Sequence, residues 1–512
     1  MDDKRVVILS VPYTEPLPMV APVLLSACLS SNGISAKGID FSAEFLSNFY
    51  NKDYWPALKN LITIGVSTKL PSQCLKDILR FNKNKLQSIK QNYNPEYIGL
   101  SIFTNESLDF TNILIYSIRK YLPTVKIILG GRGLELNCGI ENIPYYQKYF
   151  NHGMADLIVV GDAEESLVSA INENAVGIYK SKQQTKEDLL DVPIPNWDDY
   201  DLDLYKKFQD YSIQEDHDYK VRDPKYIAIT GSKGCVRECV FCDVASFWPK
   251  YIYRNGDHIA KEIITAYEKT GITNFVFTDN LMNGSIKQYR LMNQILASTI
   301  PNTISYSGYA IFRGQSELSE EDFVTASLAG CKQWAIGVES GSERVRYHMK
   351  KKFSNIELDY SIGQLHKNNI SQSWLLMAGY PTETDQDFAE TLDLVKRYRH
   401  LNKNHMIDIS FTNFQLLSNS PLLSNLEIRD SLGIQYDYSS PNARFFWTCS
   451  SNPENTFIER YNRWNRLLTT VVDCGYNMQN IVSIRKWKDE LDNLKEIYAE
   501  HQPKKMFYIR NM

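Results

Sequence analysis

The sequence predicts an α/β protein: two successive strand–helix series followed by a mainly helical C-terminal region. Three observations carry this. Short apolar runs alternate with helix-spaced segments over residues 1–180, a second alternation begins at Tyr226, and the spacing becomes helical throughout after about residue 424. Strands separated by helical patterns imply parallel sheets, the first of them doubly wound.

In the first series, Arg5 to Ser10 reads as a buried strand, Pro22 to Ser31 as a helix with Gly33 just past its end, and Ile34 to Asp40 as a second strand. Tyr97 to Phe103 is a strand and Ser107 to Tyr121 a helix broken by Pro123. Lys126 to Gly131 and Ala155 to Gly161 are further strands, the latter leading into a helix from Ala163. Ligands on such sheets sit beyond the carboxyl ends of the strands. Thr104, Gly130, Gly131, Gly161 and Asp162 all fall there. Residues 181–222 carry prolines, charges and aromatics and read as a loosely packed linker. The second series, 223–424, runs from the strand Tyr226–Thr230 through about six strand–helix units to the strand Asp408–Phe414, fewer than the eight of a complete barrel. In the last region, 425–512, Phe457, Tyr461, Trp464, Leu468 and Val471 recur at helical spacing, with Arg460, Arg463 and Arg466 expected on other faces. This region reads as a helical cap.

Composition excludes several classes. The 512 residues are 43% hydrophobic and 23% charged with a formal net charge of -4, which implies no general affinity for nucleic acid or acidic membranes. No apolar run approaches the ~18 residues that span a bilayer, and the start, Met1 to Arg5, runs directly into a strand with no secretory pattern. Nine cysteines, mostly isolated, argue against a disulfide scaffold and for a reducing cytoplasm.

The chemistry concentrates in Gly231-Ser-Lys-Gly-Cys235-Val-Arg-Glu-Cys239-Val-Phe-Cys242. A strand enters a glycine turn, where Gly234 supplies backbone freedom, and three cysteines follow within one loop. Three thiolates so spaced can hold three irons of a four-iron, four-sulfur cluster and leave the fourth open to a small molecule. The bland alternative is a zinc site with a distant fourth ligand.

This loop resembles that of the radical S-adenosylmethionine (SAM) superfamily, and the likeness continues along the chain. Phe247-Trp-Pro-Lys-Tyr-Ile-Tyr-Arg254 is similar to the family's segment after the cysteines. Phe277-Thr-Asp-Asn-Leu-Met-Asn-Gly284 resembles its second-strand motif, with Asn280 in place of the second acid. Gly337-Val-Glu-Ser-Gly-Ser342 and Ala378-Gly-Tyr-Pro-Thr-Glu-Thr-Asp385 resemble its fourth- and fifth-strand motifs. The first domain, with Gly130-Gly131 and Gly161-Asp-Ala-Glu164, resembles the cobalamin-binding domain that precedes many such enzymes. Two features depart from the pattern. No Asp-x-His-x-x-Gly motif is present, since His152 lies in none, and Leu417-Ser-Asn-Ser-Pro-Leu422 stands where the family often has a proline-glycine-threonine turn.

The resemblance implies a Rossmann-like cobalamin-type domain (1–180), a linker (181–222), a partial (β/α)6 radical SAM barrel (223–424) and the helical region 425–512. Cys235, Cys239 and Cys242 would ligate the 4Fe-4S cluster, and one electron would split SAM to a 5'-deoxyadenosyl radical. Phe241 would pack near the adenine, or serve as a core aromatic. Asp279 and Asn280 would hold the methionine amino group or substrate, or cap a turn. Glu339 and Ser340 would bond the ribose or methionine, or act structurally; Arg313 would pair with a carboxylate, or lie at the surface. Gly379 would allow backbone to approach a ligand, or serve a simple turn. Gly130, Gly131, Gly161 and Asp162 would admit cobalamin. Cys28, Cys74 and Cys138 read as buried small residues rather than a second cluster. Tyr306, Tyr309, Trp334, Trp374 and Tyr380 would line the barrel, or serve as packing, the commoner role of aromatics there. The expected reaction is cobalamin-dependent methylation of an unactivated carbon in an unidentified substrate. An electron donor such as flavodoxin or ferredoxin is expected, with no nucleic acid and no membrane. Radical oxidation, cyclisation or rearrangement without methyl transfer stays open, as does a cobalamin or redox sensor.

Overall fold

The computed structural model describes residues 4–12, 18–63, 70–135, 137–138, 143–182, 184–185, 189, 192–205, 226–402, 405–437, 440, 442–476 and 481–501. Its described residues fall into two compact units. One gathers the chain up to 205 with 226–229 and 252–276; the other comprises 230–251 and 277–501.

The first unit holds six parallel strands: β1 (Arg5–Ser10), β2 (Ser35–Ile39), β3 (Tyr97–Ser101), β4 (Lys126–Gly130), β5 (Leu157–Val160) and β6 (Gly177–Lys180). Their order is β2-β1-β3-β4-β5-β6. The chain thus starts in the middle, builds one edge and reverses, which places a topological switch point between β1 and β3. Side chains alternate across the strands. Val7, Leu9, Ile98, Leu100, Ile127 and Leu129 enter one core layer, whereas Val6, Ile8, Tyr97, Ile128 and Val159 enter the other. A sheet buried on both faces needs helices on both, as in a doubly wound fold.

Three helices, Phe41–Phe49, Trp55–Thr63 and Ser72–Tyr93, fill the interval between β2 and β3 that the sequence reading left undivided. The expected linker is described only in part, and its stretch 192–205 is not loose. Trp197 and Tyr200 are buried, Asp199 accepts from Lys37 Nζ at 2.6 Å and Gly38 N at 3.1 Å, and Tyr200 donates to the Met19 carbonyl. Apolar burial of two aromatics outweighs the prolines and charges around them.

Six further parallel-type strands form the second series: β7 (Ile227–Ile229), β8 (Asn274–Phe277), β9 (Ser305–Ala310), β10 (Cys331–Glu339), β11 (Ser371–Ala378) and β12 (Ile407–Asn413). β7 and β8 are neighbours in the first unit. In the second unit β9 to β12 pair in parallel and in chain order, each followed by a helix, which is the expected partial-barrel alternation. Three of those helices begin with reciprocal capping boxes written in the sequence as Ser/Thr-x-x-Asp/Glu: Ser319 with Asp322, Ser354 with Glu357, and Thr384 with Asp387. The C-terminal region is mainly helical, with Phe457–Asp473 and Ile481–His501 the longest elements.

Of the two roles open to them, Trp334 and Trp374 take packing rather than lining. They are fully buried and pack against rings outside the sheet, Trp334 on Phe323 of the helix Glu320–Leu328 and Trp374 on Tyr398 of the helix Asp385–Tyr398. Tyr306 and Tyr380 are buried as well, and only Tyr309 of the five aromatics is exposed. Arg460 and Arg463, expected on faces other than that of Phe457, Trp464 and Val471, share the buried side of the helix with them. Both are buried, for reasons given below.

Candidate active site

The cysteine loop is held at several points. The Asp279 carboxylate accepts from Gly231 N at 2.7 Å and from Ser232 Oγ at 2.8 Å, fixing the loop's entry. Gly234 has φ +79°, and a Cβ there would lie 2.7 Å from the Lys250 carbonyl, so both conformation and space demand glycine. Val240 N donates to Met349 O, and Val240 O accepts from Leu422 N. The stretch departing from the family's turn, Leu417–Leu422, therefore braces the cysteines from below.

Cys235, Cys239 and Cys242 are free and half-buried. Burial pushes the Cys239 thiol up to about 11 against the opposing pull of Lys351, and burial also raises Cys242; the neighbouring Cys235 adds to both. Thiols that resist ionisation alone become ligands once a cationic iron displaces their protons. Among the described residues no three His, Cys, Asp or Glu converge on a single ion. A cubane asks for a different arrangement, one thiolate at each of three separate irons, and three adjacent half-exposed thiols on a pinned loop fit it.

The other residues singled out in this unit are engaged with protein groups. Asp279 is committed to the loop entry, and Asn280 beside it is half-buried. Arg313 is buried and donates to Glu317 at 2.8 Å and to the carbonyls of Asn283 and Gly284, rather than lying at the surface. Ser340 is fully buried, near Thr391 Oγ1 at 3.2 Å, and accepts from Ser342 N. Glu339 has φ +66° and pairs with Lys351 Nζ at 2.7 Å. Phe241 is half-buried, with the Lys351 ammonium 5.7 Å from its ring centroid. Lys351 escaped the sequence reading, although it follows the fourth-strand motif in a run of three lysines. Burial alone would push its ammonium down; Glu339 and Cys239 outweigh burial and carry it above its ordinary value.

Gly379 does allow a close approach, but to protein. With φ +90°, a Cβ there would lie 2.2 Å from Arg460 Cγ. The loop it begins, Gly379–Asp385, is supported throughout by the C-terminal region. Asn455 donates to the Gly379 and Tyr380 carbonyls, and Asn452 to those of Pro381 and Glu383. Arg463 bonds the Glu383 carbonyl and carboxylate, both at 3.1 Å, and Asp385 at 2.8 Å. Arg460 stacks its guanidinium 3.8 Å over Trp447 and donates to the carbonyls of Phe445 and Trp447. The two arginines are buried because these fixed acceptors surround them.

Asp387 ties the same region to the fourth-strand loop. It accepts from Ser342 Oγ, from Thr384 and from Arg344. Burial alone would raise its carboxyl, but the bonds from Arg344, Thr384 and Ser342 prevail and hold it well below the ordinary carboxylate range. A depressed folded-state pKa adds stability above the unfolded value and loses it as pH falls. Asp387→Asn should therefore cost about 1–3 kcal/mol at pH 7, tempered because Arg344 is half exposed. The deficit should shrink once pH drops below ~4, as thermal unfolding at both pH values would show.

In the first unit the strand-end residues come together. A Cβ on Gly133 would meet the Thr104 carbonyl carbon at 2.5 Å, and Gly131, with φ +112°, leaves no room for one beside the Ile102 carbonyl. Gly161 N donates to Glu135 at 3.3 Å. Thr104, Gly130, Gly131, Gly161 and Asp162 thus lie on adjoining turns after β3, β4 and β5, to one side of the switch point. Cys28 and Cys74 are buried core residues; the Cys138 side chain lies outside the described residues.

The second strand series carries its three cysteines in the turn after its first strand. Residues 229–395 match the model of the Radical SAM superfamily. The chain is 23% identical over 369 residues to an uncharacterized protein of Methanocaldococcus jannaschii, covering 69% of this chain and 76% of that one. It is 26% identical over 366 residues to the cytidylyl-2-hydroxyethylphosphonate methyltransferase of Streptomyces wedmorensis, covering 65% and 63%. It is 20% identical over 286 residues to the anaerobic magnesium-protoporphyrin IX monomethyl ester cyclase of a Synechocystis strain, spanning about half of each chain at 55%. Among solved structures, the fold matches the radical SAM methyltransferase TsrM from Kitasatospora setae with TM-score 0.60 at 13% identity, covering 92% of this chain and 91% of that one. It matches the cobalamin-dependent radical enzyme OxsB with TM-score 0.62 at 14% identity, covering 98% and 71%. No helix among the described residues is long and apolar enough to cross a membrane.

Proposed function

We propose that this protein is a cobalamin-dependent radical SAM methyltransferase acting on an unactivated carbon. The observation that carries the reading is the first unit. Its sheet order, switch point and glycine-lined turns after β3, β4 and β5 match what a ligand site of the doubly wound kind requires. The two solved structures that match across nearly the whole chain were determined with cobalamin bound, and one sequence relative is named as a methyltransferase.

Cys235, Cys239 and Cys242 would hold the cluster, whose chemistry when bound is the one-electron cleavage of SAM to a 5'-deoxyadenosyl radical. The chain's own residues bind and orient. Asp279 fixes the entry to the cysteine loop, Gly234 lets it turn, and Phe241 offers a ring face beside it. The loop Gly379–Asp385 is held still by the C-terminal region. We read 1–180 as the cobalamin domain, 181–222 as the connection, 223–424 as the catalytic barrel and 425–512 as its support. A flavodoxin or ferredoxin in the cytoplasm would supply the electron.

The test uses the anaerobically reconstituted protein with hydroxocobalamin. Cobalt should remain at one per chain after gel filtration. Gly130→Ala, whose added Cβ would meet only the Val159 carbonyl at an ordinary 3.5 Å, should fold normally yet weaken cobalamin retention about tenfold, or ~1.4 kcal/mol. Release of 5'-deoxyadenosine under reductant with no cobalt retained would overturn the cobalamin assignment and favour oxidation, cyclisation or rearrangement. Absence of 5'-deoxyadenosine in every condition would favour a sensor.

A further inference from the structure

Behind the cysteine loop lies a buried charge that the chain places at evident conformational expense. Glu339, Lys350 and Lys352 are non-glycine residues in the left-handed region, at φ +66°, +59° and +54°. Such backbone is strained for any residue that carries a Cβ. The lysines at 350 and 352 are exposed, Lys352 in a loose 3.7 Å pair with Glu238, so the strain does little for their own side chains. It turns the residue between them inward: Lys351 is 8% exposed. Its ammonium meets the Glu339 carboxylate at 2.7 Å and lies 5.7 Å from the ring centroid of Phe241, between the second and third cysteines. The pair fills space kept open by Gly337, where a Cβ would lie 2.3 Å from Glu339 Oε1 and 2.6 Å from Lys351 Nζ. The bond from Val240 N to Met349 O keeps this segment and the cysteine loop in register. A buried ion pair is a poor source of stability compared with an apolar pair, so its position needs another explanation.

We propose that Lys351 is the counter-charge of the cysteine loop, a positioning residue that raises the reduction potential of the cluster held by Cys235, Cys239 and Cys242. The inference rests on the reading of that loop as a 4Fe-4S site. Three thiolates and a reduced cluster accumulate negative charge, and a buried cation close by favours the form carrying the extra electron. Glu339 anchors the ammonium and partly offsets its charge, and Phe241 screens the site from water.

The experiment is a dithionite titration of the anaerobically reconstituted protein, followed by electron paramagnetic resonance and run without SAM. Lys351→Met should reduce the equilibrium constant for one-electron reduction about tenfold, a shift of ~59 mV to lower potential. Lys351→Arg should restore most of it, and Glu339→Gln should shift it the opposite way. An unchanged potential in Lys351→Met with the iron complement intact overturns the proposal. So does a shift that emerges only when SAM is added, which would make Lys351 a ligand of SAM. If Lys351→Met fails to assemble a cluster, Glu339→Gln decides alone, and no upward shift in it overturns the proposal. A wild-type protein without a cluster would instead sink the underlying site assignment.

Discussion

Cys239→Ala should give a folded protein that assembles no 4Fe-4S cluster and releases no 5'-deoxyadenosine above background, a loss of roughly 10³-fold or more. The expectation separates chemistry from folding because the loop does not depend on the thiol. Its anchors are the bonds of Val240 with Met349 and Leu422 and those of Asp279 with Gly231 and Ser232, none of which involves a sulfur. Thermal unfolding should move by no more than about 1 kcal/mol. Iron and sulfide analysis should show the cluster gone, since three protein ligands are already one fewer than a closed cubane has. Cys74→Ala is the contrasting case. Cys74 is fully buried in the core of the first unit, so this variant should lose about 1 kcal/mol of stability and keep its cluster. If Cys239→Ala retains iron and activity, the loop is not the cluster site.

What the sequence showed in advance follows the range of the forces involved. The strands are short apolar runs, and the barrel helices announce themselves by capping boxes such as Ser354 with Glu357; both signals are local. The cysteine spacing is local as well. The helix Ser72–Tyr93 was harder to see, because its buried stripe of Cys74, Ile78, Asn82, Leu86 and Ile89 is interrupted by an asparagine and set among lysines and glutamines. Partnership was not legible. Asp279, Arg313 and Ser340 sit at or just past strand ends, and their side chains close loops there. Lys351 carried one visible signal, the three-lysine run, and nothing in the sequence says which of the three turns inward. The buried faces of Arg460 and Arg463 were hidden by a sound rule, that arginines on an amphipathic helix face water. The rule gives way because acceptors reach these arginines from loops as far as 80 residues away in sequence.

Arg463→Ala should be the most destabilising single change outside the apolar core. Arg463 is 3% exposed, joins the helix Phe457–Asp473 to the fully buried Glu383 and to Asp385, and pairs with Glu459 on its own helix. Removing one partner of a buried pair leaves an uncompensated charge and costs about 3–5 kcal/mol. The pH dependence identifies the cause. Burial pushes the Glu383 carboxyl up to about 7 while Arg463 pulls it down. A raised folded-state pKa means that stability is present at low pH and is lost as pH rises through that value. In the wild type the loss stops near pH 7, where Glu383 ionises against Arg463. Without the arginine the folded-state value climbs further and the loss continues. The deficit of Arg463→Ala should therefore widen above pH 7 and narrow below it, as denaturant melts at pH 6 and pH 8 would reveal. Arg463→Ala, Glu383→Gln should recover part of the deficit at pH 8, since an amide carries no charge to strand. A deficit that is the same at both pH values, with no recovery in the double variant, would mean that Arg463 acts through packing alone and that the loop Gly379–Asp385 does not depend on this charge.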